Sequence, residues 1–173
     1  MTKYFDGFPR EYIDFLWELR MNNNTEWFNE NRERYDLLVK EPMKLFADEM
    51  CERLNFYFEI SPEGWTSGMG FYEAGSEYMA RYRKKLAADY AAVERLDKKL
   101  AAQDFFKPDG NFYKKNFTPE GTPENLRKWF QMKNIAFTSD YRIEEELFDR
   151  SILDTVEKGF EFLKPFFKYF KNI

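Results

Sequence analysis

Histidine is absent from this 173-residue chain, and cysteine occurs once, as Cys51. The first absence excludes Ser-His-Asp triads, Cys-His pairs, H-E-x-x-H zinc sites and imidazole proton shuttles. The second excludes an intrachain disulfide and a thiolate metal cluster. A glycine-rich phosphate loop is also missing: Gly68-Met69-Gly70 lacks the rest of the spacing and the lysine that should follow. No metal site or cofactor is therefore expected. Linkers rich in serine and glycine, low-complexity blocks and internal repeats are missing too, so residues 1–173 read as one domain. No apolar run approaches a membrane span, and mean hydropathy is −0.74. The opening Met1-Thr2-Lys3-Tyr4-Phe5-Asp6-Gly7 lacks the apolar stretch and cleavage site of a secretory signal. Together with one unpaired cysteine, these absences predict a cytoplasmic protein with no membrane partner.

Aromatic residues are abundant: 20 Phe, 11 Tyr and 4 Trp make up 20% of the chain, which argues against disorder although 34% is charged. The 27 basic and 31 acidic residues give a net charge of −4 and no overall attraction for nucleic acid, so none is expected as a partner.

Apolar spacing predicts a first helix from Pro9 to Met21, striped by Phe8, Tyr12, Phe15, Leu16 and Leu19. Asn22-Asn23-Asn24-Thr25 should break it and cap a second helix reaching Lys40, with Trp27 and Phe28 anchoring the second helix on the first. Pro42 should open a third, whose stripe of Met43, Phe46, Met50 and Leu54 also takes up Cys51, most simply as a core residue. Strand formers at 56–60, the turn Ser61-Pro62-Glu63-Gly64 and a returning segment at 66–72 predict a hairpin. Ser76 and Asp89 are positioned to cap two further helices, and Thr122-Pro123-Glu124 opens a short one ending near Trp129. A third strand fits 134–139. Ser151 caps a long terminal helix that Pro165 should kink or divide. The expected class is α+β: a mostly helical domain with a small antiparallel sheet.

Without histidine, chemistry falls to carboxylates, lysine, arginine, tyrosine and hydroxyls. Glu59, Glu63 and Glu73 flank the hairpin, and paired carboxylates perform acid–base work when their environments differ; solvated glutamates are the simpler reading. Arg81, Arg83, Lys84 and Lys85 form a basic run, with Arg81, Lys84 and Lys85 on one helical face that suits phosphate, or that is simply solvated. Asn111-Phe112-Tyr113-Lys114-Lys115-Asn116-Phe117 interleaves rings with lysines, a pattern shared with single-strand binders, although one such segment in an acidic chain says little. The terminal helix, with Phe160, Phe162, Phe166, Phe167 and Phe170 among lysines, reads as core with snorkelling cations rather than as a membrane-surface helix. No catalytic residue is assigned, and the chain's residues do not declare an enzyme.

Gly7-Phe8, Phe15-Leu16-Trp17, Asn22-Asn23 with Trp27-Phe28, and Tyr35 resemble the opening of the bacterial domain of unknown function 2461 (DUF2461) family. Phe58 through Trp65 and Gly68-Met69-Gly70-Phe71-Tyr72 resemble its central strands. Gly110, Tyr113-Lys114, Trp129 through Asn134, and Gly159 through Phe167 resemble its C-terminal half. One element is missing: the basic segment of type R-x-Y-R-D-x-R…P-Y-K that family members carry between the third helix and the central strands. Here Asn55 leads straight into Phe56, leaving about one residue where such connections usually take about 2–6. The expectation is a break at 55/56 from which a basic segment has been lost, or failing that a deletion variant without the family's anion site. In the family-like arrangement, Lys133 beside Trp129, the pair Tyr113-Lys114, and Tyr72 are the expected contributors to a pocket for a small anionic ligand, with Arg81 as an outside candidate. Lysine supplies charge, tyrosine orients the ligand and tryptophan walls it. The alternative is a non-catalytic protein-interaction module with an aromatic surface.

Overall fold

The computed structural model describes residues 4–50, 56–71 and 75–173. The expected break at 55/56, the core placement of Cys51, and Tyr72 and Glu73 all involve residues outside that set. The described chain forms two compact units, one drawn from Met1–Arg53, Glu59–Thr66 and Tyr141–Gly159, the other from Leu54–Phe58, Ser67–Asp140 and Phe160–Ile173. The class is α+β, mostly helical, with a four-stranded antiparallel sheet.

In the first unit, α1 (Glu11–Met21) buries Tyr12 and Phe15 as its stripe requires. Asn24 caps α2 (Thr25–Glu30), its side chain accepting the Trp27 N–H at 2.9 Å. The Phe15 and Trp27 rings meet at 5.7 Å and those of Phe28 and Tyr35 at 5.2 Å, joining α2 to its neighbours. The second helix is not continuous to Lys40. Asn31 leaves helical geometry and its side-chain amide takes the Trp27 carbonyl at 2.9 Å, ending α2. Then α3 (Arg32–Tyr35), a π-helical turn (Asp36–Lys40) and α4 (Glu41–Met50) follow without a break. Pro42 therefore starts no new helix. It has no N–H to give, and just before it the bonding lengthens by one residue, with the Glu41 N–H donating to the Asp36 carbonyl.

Gly7, one of the family-like residues, has φ +109, and a Cβ there would stand 2.3 Å from the Phe148 carbonyl oxygen. This close approach, with the Phe8 N–H donating to the Leu147 carbonyl at 3.2 Å, seats Phe5 and Phe8 among Tyr12 and Phe46. Trp65 stacks on Tyr141 at 3.8 Å.

The sheet runs in the order β1-β2-β4-β3, from β1 (Phe56–Ser61), β2 (Gly64–Phe71), β3 (Lys107–Pro108) and β4 (Ile135–Tyr141). Gly68 lets β2 lie against β4: a Cβ would sit 2.4 Å from the Phe137 carbonyl. Strand β3 pairs Lys107 with Thr138 and Pro108 with Phe137, and is too short for periodicity to reveal.

The second unit's core gathers Met79, Tyr82 and Leu86 from α5 (Ser76–Ala88), Val93, Leu96 and Leu100 from α6 (Tyr90–Ala101), Trp129 and Phe130 from α7 (Arg127–Phe130), and Leu163, Phe166 and Phe170 from α8 (Ile152–Phe170). Asp89 caps α6 by accepting the Ala92 N–H at 2.9 Å. Ser76 is instead the first residue of α5, with no side-chain cap at that terminus. Pro165 does not divide α8, which runs unbroken for 19 residues. An interior proline costs about 3 kcal/mol, whereas each of the flanking buried side chains Leu163, Phe166 and Phe170 contributes roughly 1.5–3 kcal/mol. Because Pro165 is exposed, the carbonyl it leaves unbonded one turn earlier can be hydrated. Among the described residues no helix is long and apolar enough to cross a membrane.

Candidate functional site

The stretch after β3 turns at Gly110, whose φ of +101 suits glycine. It then runs antiparallel to residues 131–133 through one bridge, Phe112 opposite Met132. The Tyr113 N–H donates to the Gln131 carbonyl at 2.7 Å, and the Lys133 N–H to the Asn111 carbonyl at 3.1 Å. This register places Tyr113 and Lys133 diagonally on one face, within reach of long side chains. Lys133 Nζ accordingly lies 5.3 Å from the Tyr113 ring centroid. Lys133 is half-buried, whereas Lys158, Lys168 and Lys171 towards the C-terminus are exposed.

Behind the rings stands Arg83. Its Nε donates to the Phe130 carbonyl at 2.9 Å, Nη1 to the Met79 carbonyl at 3.1 Å and Nη2 to the Met132 carbonyl at 3.1 Å. Its guanidinium lies 4.2 Å from the Phe117 centroid and 5.3 Å from that of Tyr113, and those two rings meet edge to face at 5.0 Å. Burial holds the Arg83 pKa below its ordinary value, with the Tyr113 and Tyr82 hydroxyls acting the other way. Lys115 completes the group, its Nζ 5.5 Å from the Phe117 centroid. Gln131, its amide turned to satisfy both ends, donates to the Lys115 carbonyl at 2.7 Å and accepts from Thr118 Oγ1 at 3.0 Å. Three cations thus surround two rings, and among the described residues none of the three pairs with a carboxylate.

Of the sequence candidates, Tyr113 and Lys133 come together here, with exposed Lys114 next in the chain. Arg81 is exposed and packs 5.9 Å from the Tyr78 ring instead. Trp129 belongs to the core. It is 1% exposed, and its Nε1 donates to Asp97 Oδ1 at 2.9 Å, beside the Lys128–Asp97 ion pair at 2.7 Å. A ring so enclosed does not wall a solvent-facing site. Glu63 is ion-paired with Arg20, whose hydrogen bond lowers its pKa, and so has no proton poised for transfer near neutrality. Arg83, Lys115 and Phe117 are not among the pocket residues expected from the sequence, although Arg83 falls in the basic run and the other two in the 111–117 segment. The available signal was the spacing Met79–Arg83, one helical turn, which sets Arg83 beside the buried stripe and off the face of Arg81, Lys84 and Lys85.

The first unit holds a cavity of about 650 Å³ whose lining includes Arg10, Glu145, Glu146, Phe148 and Asp149. Its carboxylates are occupied: Glu145 by Arg10, Glu146 by the Thr155 hydroxyl and Asp149 by the Ser151 N–H at 2.8 Å. The cation–aromatic group in the second unit has no carboxylate partner among the described residues, and is the better candidate. Among the described residues no group of three or more Asp, Glu or Cys is placed to hold a metal ion.

The chain matches the family model described as conserved hypothetical protein (DUF2461) over residues 11–55 and 49–169, and it belongs to that family. No curated protein matches it, and neither does any solved structure.

Proposed function

We propose that this DUF2461 protein binds a small anionic ligand at the group formed by Arg83, Tyr113, Lys115 and Lys133. The observation that carries the reading is the set of three cations gathered on two aromatic rings with no carboxylate partner among the described residues. Gathered on one pair of rings without a carboxylate beside them, they leave a positive potential that an anion would neutralise. Lys133 and Lys115 supply charge, the Tyr113 hydroxyl orients the ligand, and Arg83 fixes the loop that carries them.

The rival reading, a protein-interaction surface, draws support from the exposure of Phe112 and Tyr113 on the same loop. Converging charge beside those rings favours the small ligand. A thermal-shift screen of small anions tests it, because a ligand at 100 times its Kd stabilises by about 2.7 kcal/mol. The expected result is a rise in melting temperature for at least one anion, lost in Lys133→Glu. No rise with any anion, or the same rise in the variant, overturns the reading.

A further inference from the structure

We infer that the anion is a small phosphorylated, multiply charged molecule rather than a carboxylate; this rests on the anion-binding reading above. The argument lies in how Arg83 is used. A planar carboxylate is recognised best by the parallel N–H pair of a guanidinium, which matches its two oxygens. Arg83 is the only guanidinium in the group, and each of its three nitrogens already donates to a backbone carbonyl, those of Phe130, Met79 and Met132. Its Nε–Nη2 edge is taken by two of them, and Phe117 packs 4.2 Å from the guanidinium carbon. That edge is therefore spent, and one N–H on each Nη remains.

The other charges available to a ligand are ammonium groups. Lys133 and Lys115 flank the Tyr113–Phe117 ring pair, and exposed Lys114 lies between Tyr113 and Lys115 in the chain. An ammonium is a point charge with three rotating donors and imposes no plane on its partner. Separate point charges on a pinned loop suit a ligand that spreads several negative oxygens over tetrahedral centres, such as a diphosphate. The loop backbone is held by the bridge at Phe112–Met132, so the lysines are presented from an ordered base.

Isothermal titration calorimetry of the intact chain with inorganic pyrophosphate and, separately, with citrate tests the inference. Pyrophosphate is expected to bind at least tenfold tighter than citrate, and Lys115→Ala/Lys133→Ala to weaken it at least tenfold. Lys84→Ala, an exposed lysine outside the group, should leave its affinity unchanged. Citrate binding as tightly as pyrophosphate overturns the phosphate inference and leaves the anion reading standing. Binding of neither overturns both. A single-stranded oligonucleotide that binds a hundredfold tighter than pyrophosphate also overturns the inference, because the ligand is then a nucleic acid.

Discussion

The Glu49 carboxylate accepts the backbone N–H of Phe5 at 2.6 Å. Arg150 completes the clamp: its Nη1 donates to the Phe5 carbonyl and to Glu49 Oε1, the latter at 3.1 Å. One ion pair thereby satisfies both polar backbone groups of a residue that is 1% exposed, and so ties it to Glu49 on α4 and to Arg150.

Replacing Glu49 by Gln keeps an oxygen for the Phe5 N–H and removes the charge. The Arg150 hydrogen bond, with the Phe5 N–H second, lowers the Glu49 pKa from 4.5. A carboxylate with a lowered folded pKa contributes stability that is complete above its unfolded value and is lost as pH falls through the folded one. Glu49→Gln should therefore melt earlier than the wild type at neutral pH, and the difference should close as pH falls below about 4.5. Thermal melts across pH 2 to 7 check this, and a difference independent of pH refutes it.

Gly7 and Gly121 both have positive φ, but their surroundings differ. A Cβ at Gly7 would meet the Phe148 carbonyl at 2.3 Å, while at Gly121, φ +78, nothing stands within 4 Å. Gly121→Ala carries backbone strain alone, about 1–2 kcal/mol. Gly7→Ala adds a clash with main chain that cannot turn aside, and should cost more than about 3 kcal/mol. Urea unfolding of the two variants decides, and equal losses would contradict the close approach.

Trp129→Phe separates core from site. It deprives the buried Asp97 carboxylate of one donor and leaves it the Lys128 ammonium at 2.7 Å. A hydrogen bond to a charged group contributes about 1.5–3 kcal/mol. Stability should fall by that amount while pyrophosphate affinity stays as in the wild type. A parallel loss of affinity would return Trp129 to the ligand's surroundings.

Features set within one turn of chain were readable directly. The Asn24 and Asp89 caps need only an acceptor two or three residues ahead of the N–H it receives, and the hairpin needs only Pro62-Glu63 between strand formers. The stripe Phe8–Tyr12–Phe15 needs only helical spacing. Pro165 does not divide α8 because a local rule met non-local packing: one missing donor weighed against several buried rings. The split of the second helix turned on whether the Asn31 side chain would compete with its own backbone, which the residue type permits without requiring.

Sequence by itself therefore determined the α+β class, most element positions, the DUF2461 resemblance and the exclusion of histidine-dependent chemistry. Those follow from composition and from periods of two and 3.6 residues, which act over a few neighbours. Only the tertiary structure decided which cations matter. Lys133 meets Tyr113 because a single bridge, Phe112 to Met132, sets the register of segments about twenty residues apart in the chain. Arg83 turns inward because the Phe130 and Met132 carbonyls take two of its donors, and Trp129 is enclosed because Asp97 on α6 takes its N–H. Each of these partners is remote in sequence. Pairing across such distances depends on how whole elements pack, and no local pattern encodes it.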